Sequence, residues 1–244
     1  MRLLKKLSAA ALSVCSAAMY LASPLSTMTQ RVYAAEDYEN FAKALQYSIY
    51  FYDSNMCGTD VSENSRFTWR GDCHTYDAQL PLDTDNTNLS ADQIEKYRSA
   101  LDPDGDGYVD VSGGFHDAGD HVKFGMPEAY SGSTLGWGYY EFRDSYKKTG
   151  QDDHIETVLR YFNDYFMKCT FLDSNGDVAA FCYQVGDGDI DHSYWNAPEI
   201  DSMKREAFFL TAEKPQTDYV ASTAASLAAN YLNFKDTDAE YAQK

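Results

Sequence analysis

Five stretches of this 244-residue chain have the marks of helices, and the loops between them are long. Phe41, Leu45, Ile49 and Tyr52 recur at helical spacing behind Asp37, which predicts a helix over 38–52. Ser90-Ala91-Asp92-Gln93 has the form of a capping box and predicts a short helix ending near Leu101. Leu135, Tyr139 and Phe142 predict a helix over 130–148, and Ile155, Leu159, Phe162 and Phe166 predict another over 153–169. Val220, Ala224, Leu227 and Tyr231 form one stripe of an Ala-rich helix over 218–234. One extended piece, 178–185, stands in an otherwise irregular 171–216, and 236–244 reads as a loop leading into a further helix. Striped helices must bury their stripes against one another, so the fold expected is all-α, built of helix hairpins, with function carried by the loops.

The beginning of the chain reads as a secretory leader. Arg2, Lys5 and Lys6 precede the mostly apolar run from Leu7 to Leu25, and Val32-Tyr33-Ala34 offers small residues at a cleavage site. Residues 1–34 are therefore expected to be removed, leaving 35–244 as a secreted, extracellular domain. An uncleaved anchor is the alternative, and Ser16, Ser23 and Pro24 interrupt the run it needs. A lipid anchor on Cys15 fits less well, because Val14 is large for the position before it. The formal charge is −18, and losing Arg2, Lys5, Lys6 and Arg31 with no acid takes it to −22. Such a field repels nucleic acid and anionic membranes, so neither is an expected partner, whereas a neutral polymer meets no such barrier.

The chemistry concentrates in Gly113-Gly114-Phe115-His116-Asp117-Ala118-Gly119-Asp120-His121. Two carboxylates three residues apart in a Gly-rich turn can aim at one small volume, where they can hold and polarise a water as a general base does. A self-capping Asx turn is the plain alternative.

Several motifs together carry a resemblance. Trp69-Arg70-Gly71-Asp72, then Gly113 through Phe124, then Gln184-Val185-Gly186-Asp187-Gly188-Asp189-Ile190-Asp191-His192-Ser193-Tyr194-Trp195 with Pro198-Glu199, and finally the 218–229 helix with Phe234-Lys235-Asp236-Thr237-Asp238, resemble glycoside hydrolase family 9 cellulases from about Tyr38 to Lys244. The resemblance implies an (α/α)6 barrel of helix hairpins, of which this chain holds about the first half, and inverting hydrolysis of β-1,4-glucan such as cellulose. It implies that Asp120 is the general base and that Asp117 holds the water, both on the water side of the sugar, so that they are not an acid–base pair. It implies His192 and Trp195 as sugar contacts, with Tyr194 as a further aromatic. The family's general acid is a Glu near the end of a domain about twice this length, so 35–244 is expected to supply a base without its acid and to be nearly inactive alone. Accessory modules beyond residue 244 are compatible with the resemblance.

No cofactor is expected for the chemistry, but two clusters have metal-ligand composition. Cys57, Cys73, His74 and His116 are zinc-ligand types, and some bacterial members of the resembled family carry a structural zinc on two Cys and two His here; a Cys57–Cys73 disulfide is the alternative in a secreted chain. Cys169 and Cys182 are spaced to form a second disulfide. Asp102, Asp104, Asp106 and Asp110 follow an EF-hand loop in part, with Gly113 where the closing carboxylate belongs, so calcium is weighed against a solvated acidic turn. Two other functions stay open: a carbohydrate-binding protein without chemistry, and a metal-dependent hydrolase built on His116, Asp117, Asp120 and His121.

Overall fold

The computed structural model describes residues 40–244. The leader read from residues 1–34, with Asp37 and Tyr38 of the first helix, lies outside the described residues. Contacts divide the chain after Tyr47, and every residue of the site belongs to the second unit, Ser48–Lys244.

The main helices are α1 (Phe41–Asn55), α2 (Ala91–Leu101), α3 (Gly125–Thr149), α4 (Asp152–Lys168) and α5 (Thr217–Phe234). Helix α2 starts where the capping box says. Ser90 Oγ accepts from Gln93 N at 3.3 Å, and Gln93 Oε1 accepts from Ser90 N at 3.0 Å, an arrangement that stabilises a helix start by about 1 kcal/mol. Helix α4 buries Ile155, Leu159, Phe162 and Phe166, the stripe that its sequence predicts.

Helices α3 and α5 bury other faces than their apolar spacing predicts. On α3, Phe142 is 64% exposed and sits at a kink with φ −117° and ψ 26°. The buried face is Gly125, Ala129, Gly132, Gly136, Tyr139 and Tyr146. A Cβ on Gly132 would stand 2.4 Å from Ser226 Oγ, and one on Gly136 would stand 2.5 Å from Asn230 Oδ1. The bare glycine backbone thus lets α5 approach with its polar side inward. Thr223, Ser226, Asn230 and Asn233 are buried there, Asn233 donating to Gly136 O at 2.8 Å and Asn230 to Asn163 at 3.0 Å. Val220 and Tyr231 of the predicted stripe are 44% and 48% exposed.

The 171–216 segment is less irregular than its sequence suggests. Strands β1 (Leu80–Pro81) and β2 (Tyr108–Val109) pair with each other, while β3 (Lys123–Phe124), β4 (Thr170–Leu172), β5 (Val178–Val185) and β6 (Ala207–Thr211) form an antiparallel sheet. Strand β5 is central: β6 covers Ala180 to Val185, so β3 and β4 take the opposite edge, β3 at Gln184 and Val185 and β4 at 178–181. Lys123 pairs with Val185. That register sets the Asp117–Asp120 turn, just before β3, beside the loop that leaves β5 toward His192.

Candidate functional site

The turn is fastened from beneath by buried charge. Lys123, fully buried, donates to Val111 O at 2.6 Å and Gly113 O at 3.1 Å and lies 3.0 Å from Asp77 Oδ2. Arg205 also bonds Asp77, at 3.2 and 3.3 Å, and donates to His121 O at 2.6 Å. Burial works against the Asp77 charge, but Arg205 and Lys123 outweigh it and hold its carboxyl below the usual range. Lys123 and Arg205 share Asp77, and Arg205 Nη1 also lies 3.9 Å from Asp191 Oδ2, so two buried cations are balanced by two buried carboxylates beneath the turn. On the other flank Asp191 Oδ1 accepts from His121 N at 2.9 Å. Glu128 Oε1 accepts from Phe115 N at 2.7 Å, and burial pushes its carboxyl well above the ordinary range, against that bond and the Lys123 charge.

Above this base the turn presents its carboxylates. Asp117 is exposed and Asp120 half-buried. Asp120 Oδ1 accepts from Val122 N at 3.1 Å, and Oδ2 stands 3.5 Å from Nε2 of the exposed His192. Burial raises the Asp117 carboxyl, and the neighbouring Asp120 charge raises it further against the pull of His192. Trp195 is 86% exposed, and a Cβ on Gly119 would stand 2.8 Å from its ring. The indole therefore lies against the turn at Gly119, where a side chain would push it aside. Tyr194 is partly exposed, its hydroxyl accepting from Asn196 Nδ2 at 2.6 Å. The structure thus brings Asp117, Asp120, His192 and Trp195 together at the turn, while Tyr194 stands next to Trp195 in the chain with its hydroxyl turned to Asn196.

The Trp69-Arg70-Gly71-Asp72 motif is tied to Glu199. Arg70 is buried; its Nε donates to Glu199 at 2.7 Å and its Nη2 to Met56 O at 2.9 Å, while Gly71 N also donates to Glu199 at 3.1 Å. Burial disfavours the Glu199 charge, yet these bonds hold its carboxyl below the ordinary range, the wrong direction for a general acid.

Cys57, Cys73, His74 and His116 converge in the interior. Bridges of Met56 with Phe115 and of Gly58 with Cys73 place Cys57 between the other two segments. All four residues are buried, and one donor atom from each lies within 4.8 Å of the others. His116 Nε2 is 3.3 Å from His74 Nδ1, and Cys57 Sγ is 3.8 Å from the same nitrogen. Tetrahedral zinc with ordinary bond lengths sets nitrogen pairs about 3.3 Å apart and nitrogen–sulfur pairs about 3.6 Å apart, so the donor set fits the ion in kind and in spacing. Burial lowers the His116 pKa well below its usual value, which leaves a lone pair free. The hydrogen bond with Cys57 lowers the Cys73 thiol, with Arg70 adding to the effect, while burial pushes Cys57 up. The described cysteines are free thiols, Cys169 and Cys182 among them.

Asp102, Asp104 and Asp106 also bring donor atoms within 4.8 Å, and Asp102 Oδ1 is buried without a hydrogen-bond partner. Asp110 turns elsewhere, accepting from Ser112 at 2.7 Å and standing 3.3 Å from Lys168. His116, Asp117, Asp120 and His121 do not converge. The two imidazoles point inward to His74 and Asp201, at 3.3 and 2.7 Å, while the two carboxylates stay beside His192.

Paired carboxylates beside an imidazole and an open indole, on the loops of a helix-hairpin scaffold, are the equipment of a glycoside hydrolase. The chain belongs to Glycosyl hydrolase family 9, whose profile it matches over residues 41–244. Endoglucanase 4 of Bacillus sp. (strain KSM-522) is 37% identical over 205 residues, which are 84% of this chain and 27% of the relative. Endoglucanase B of Cellulomonas fimi is 35% identical over 222 residues, 91% of this chain and 18% of the relative. Among solved structures, the catalytic domain of Clostridium thermocellum CelT matches with a TM-score of 0.82 and 68% identity, over 83% of this chain and 41% of that one. Endoglucanase CelQ of the same organism, complexed with cellotetraose, matches at 0.60 and 32%, over 84% of this chain and 27% of that one. The helix hairpins are those of the (α/α)6 barrel expected from sequence, and this chain spans less than half the length of each of these proteins.

Proposed function

We propose that this chain supplies the water-activating side of a secreted endo-β-1,4-glucanase that acts on cellulose or a related β-glucan with inversion. Asp120 is the general base and Asp117 holds the attacking water. His192 and Trp195, with Tyr194 beside them, seat the sugar, the indole face meeting the apolar face of glucose. The observation that carries this reading is the gathering of Asp120, His192 and Trp195 at the turn by the β3–β5 register. The base and acid of an inverting hydrolase stand roughly 6.5–9.5 Å apart with the sugar between them. Asp117 shares the base's turn and Glu199 is tied to Arg70, so neither takes the acid's role; the family resemblance implies that the acid is a Glu in the part of the relatives that this chain does not span.

Zinc held by Cys57, Cys73, His74 and His116 serves structure. The ion is redox-inert, and four protein ligands leave no open position for substrate. It fastens the Cys57 and Cys73 segments to His116, the residue before Asp117. Calcium at Asp102, Asp104 and Asp106, without Asp110, stiffens the loop that leads to the turn.

Titrating the chain with cellotetraose while following tryptophan fluorescence tests the reading. A saturable change that disappears in Trp195→Ala is expected. No binding by a folded chain contradicts it.

A further inference from the structure

The two nitrogens of the His74 ring face two different groups. Nδ1 meets Cys57 Sγ and His116 Nε2, while Nε2 lies 3.1 Å from Asp201 Oδ2. The same Asp201 oxygen is 2.7 Å from Nδ1 of His121, and the other Asp201 oxygen accepts from Met203 N at 2.8 Å. Asp201 is fully buried. We propose that Asp201 is the outer carboxylate of the Cys57–Cys73–His74–His116 metal site and ties that site, through His121, to the turn that carries Asp120. This rests on the zinc reading given above.

A carboxylate oxygen accepts and does not donate, so it draws the ring proton of each histidine to the nitrogen facing it. On His74 that places the proton on Nε2 and leaves the Nδ1 lone pair for the metal, the arrangement that outer carboxylates impose on metal-binding histidines. His74 is also the one non-glycine residue with positive φ among the described residues, at +46°. Such a backbone persists only where its surroundings over-determine it, and here the ring is gripped at both nitrogens.

His74, His121 and Asp201 bring three donors together and could be taken for a metal site themselves. Their separations of 2.7 and 3.1 Å are hydrogen-bond lengths, shorter than the about 3.3 Å between ligands of one tetrahedral zinc. The ring of His121 is thus held by Asp201 while its backbone is held by Asp191 and Arg205. Asp120 is the residue next to it. Asp201 is a positioning residue on this reading and does not touch substrate.

The test uses the full chain stripped of metal, with zinc alone as probe, titrated against a chromophoric chelator. Expected is one equivalent of zinc for the native sequence and for Asp201→Asn, bound roughly 10–100-fold more weakly in the variant, with loss of binding in Cys73→Ser. Equal affinity in Asp201→Asn, with zinc lost in Cys73→Ser, overturns the proposal and leaves the zinc reading standing. A native chain that binds no zinc overturns both. If Asp201→Asn does not fold, histidine ¹⁵N resonances of the zinc-loaded native chain decide. Metal on Nδ1 and a proton on Nε2 of His74, with a proton on Nδ1 of His121, is expected; metal on Nε2 of His74 overturns the proposal. In a folded Asp201→Asn the amide signals of Asp120 and His121 are expected to move, and their staying fixed overturns the tie to the turn.

Discussion

Nε2 of His192 stands 3.5 Å from Oδ2 of Asp120, although 72 positions separate the two in the chain. The link between them is short in space: Asp120 lies three residues before Lys123, and Lys123 pairs with Val185 on the strand that leads to His192. The residues proposed as base and as sugar contact are therefore set by one piece of sheet register. In a protein carrying the complete catalytic domain, Asp120→Asn is expected to lower turnover by about 10²–10⁴-fold. Cellotetraose affinity should hold, because the amide keeps the bond from Val122 N. Unchanged turnover would remove Asp120 from the base role.

Gly119 is where the turn leaves room for an indole. A Cβ there stands 2.8 Å from the Trp195 ring, and the ring is exposed enough to move aside without disturbing the core. Gly119→Ala is expected to weaken cellotetraose binding severalfold with little change in melting temperature. A large fall in melting temperature would mean that the contact serves the fold instead.

The α3–α5 contact depends on missing side chains. Gly136→Ala puts a methyl 2.5 Å from Asn230 Oδ1, in a layer where Asn230 is bonded to Asn163. Overpacking of this kind destabilises by about 1–3 kcal/mol, which denaturant unfolding measures directly. Gly138→Ala on the same helix, with nothing closer than 3.8 Å, is the matched control and should be neutral or slightly stabilising.

Buried Glu128 gives the fold a pH dependence. Its carboxyl is raised well above the ordinary 4.5, by burial first, against the bond from Phe115 N and the Lys123 charge. A raised acid binds its proton more tightly folded than unfolded. Its stabilising contribution is therefore complete below pH 4.5 and declines as pH rises toward the folded value, by about 1.4 kcal/mol per unit. Glu128→Gln keeps the acceptor for Phe115 N and has no proton to lose. Relative to the native chain, its melting temperature should rise as pH goes from 4 to 7; a constant difference would show that Glu128 does not stay neutral.

The fold was legible in sequence wherever one local signal decided the outcome. The Ser90–Gln93 box starts α2, and the four-residue stripe of α4 is buried as its spacing predicts. Periodicity misled where backbone approach mattered more than apolar area: Gly132 and Gly136 admit the polar side of α5, so Val220 and Tyr231 face outward. Strand β6 was hidden because Ala207–Thr211 is a short apolar run without alternation. In the site, Asp117, Asp120, His192 and Trp195 stood out by motif, and the structure brings them side by side. Residues that hold the turn did not. Asp77, Lys123, Asp191, Asp201 and Arg205 are buried charges joined across long separations; Lys123 and Asp191 lie inside the quoted motifs, but nothing local marked Asp77, Asp201 or Arg205 as their partners.

The most direct test of Asp120 as a water-activating base uses a substrate that needs no acid. Fluoride leaves without protonation, so β-cellobiosyl fluoride asks only for the base and the seated sugar. Proton NMR of the first-formed sugar, with the chain at a concentration that saturates cellotetraose binding, reads both rate and stereochemistry. Expected is fluoride release above the buffer rate, α-cellobiose as the first product, and loss of both in Asp120→Asn. Release of β-cellobiose first, or release that Asp120→Asn does not diminish, would contradict it.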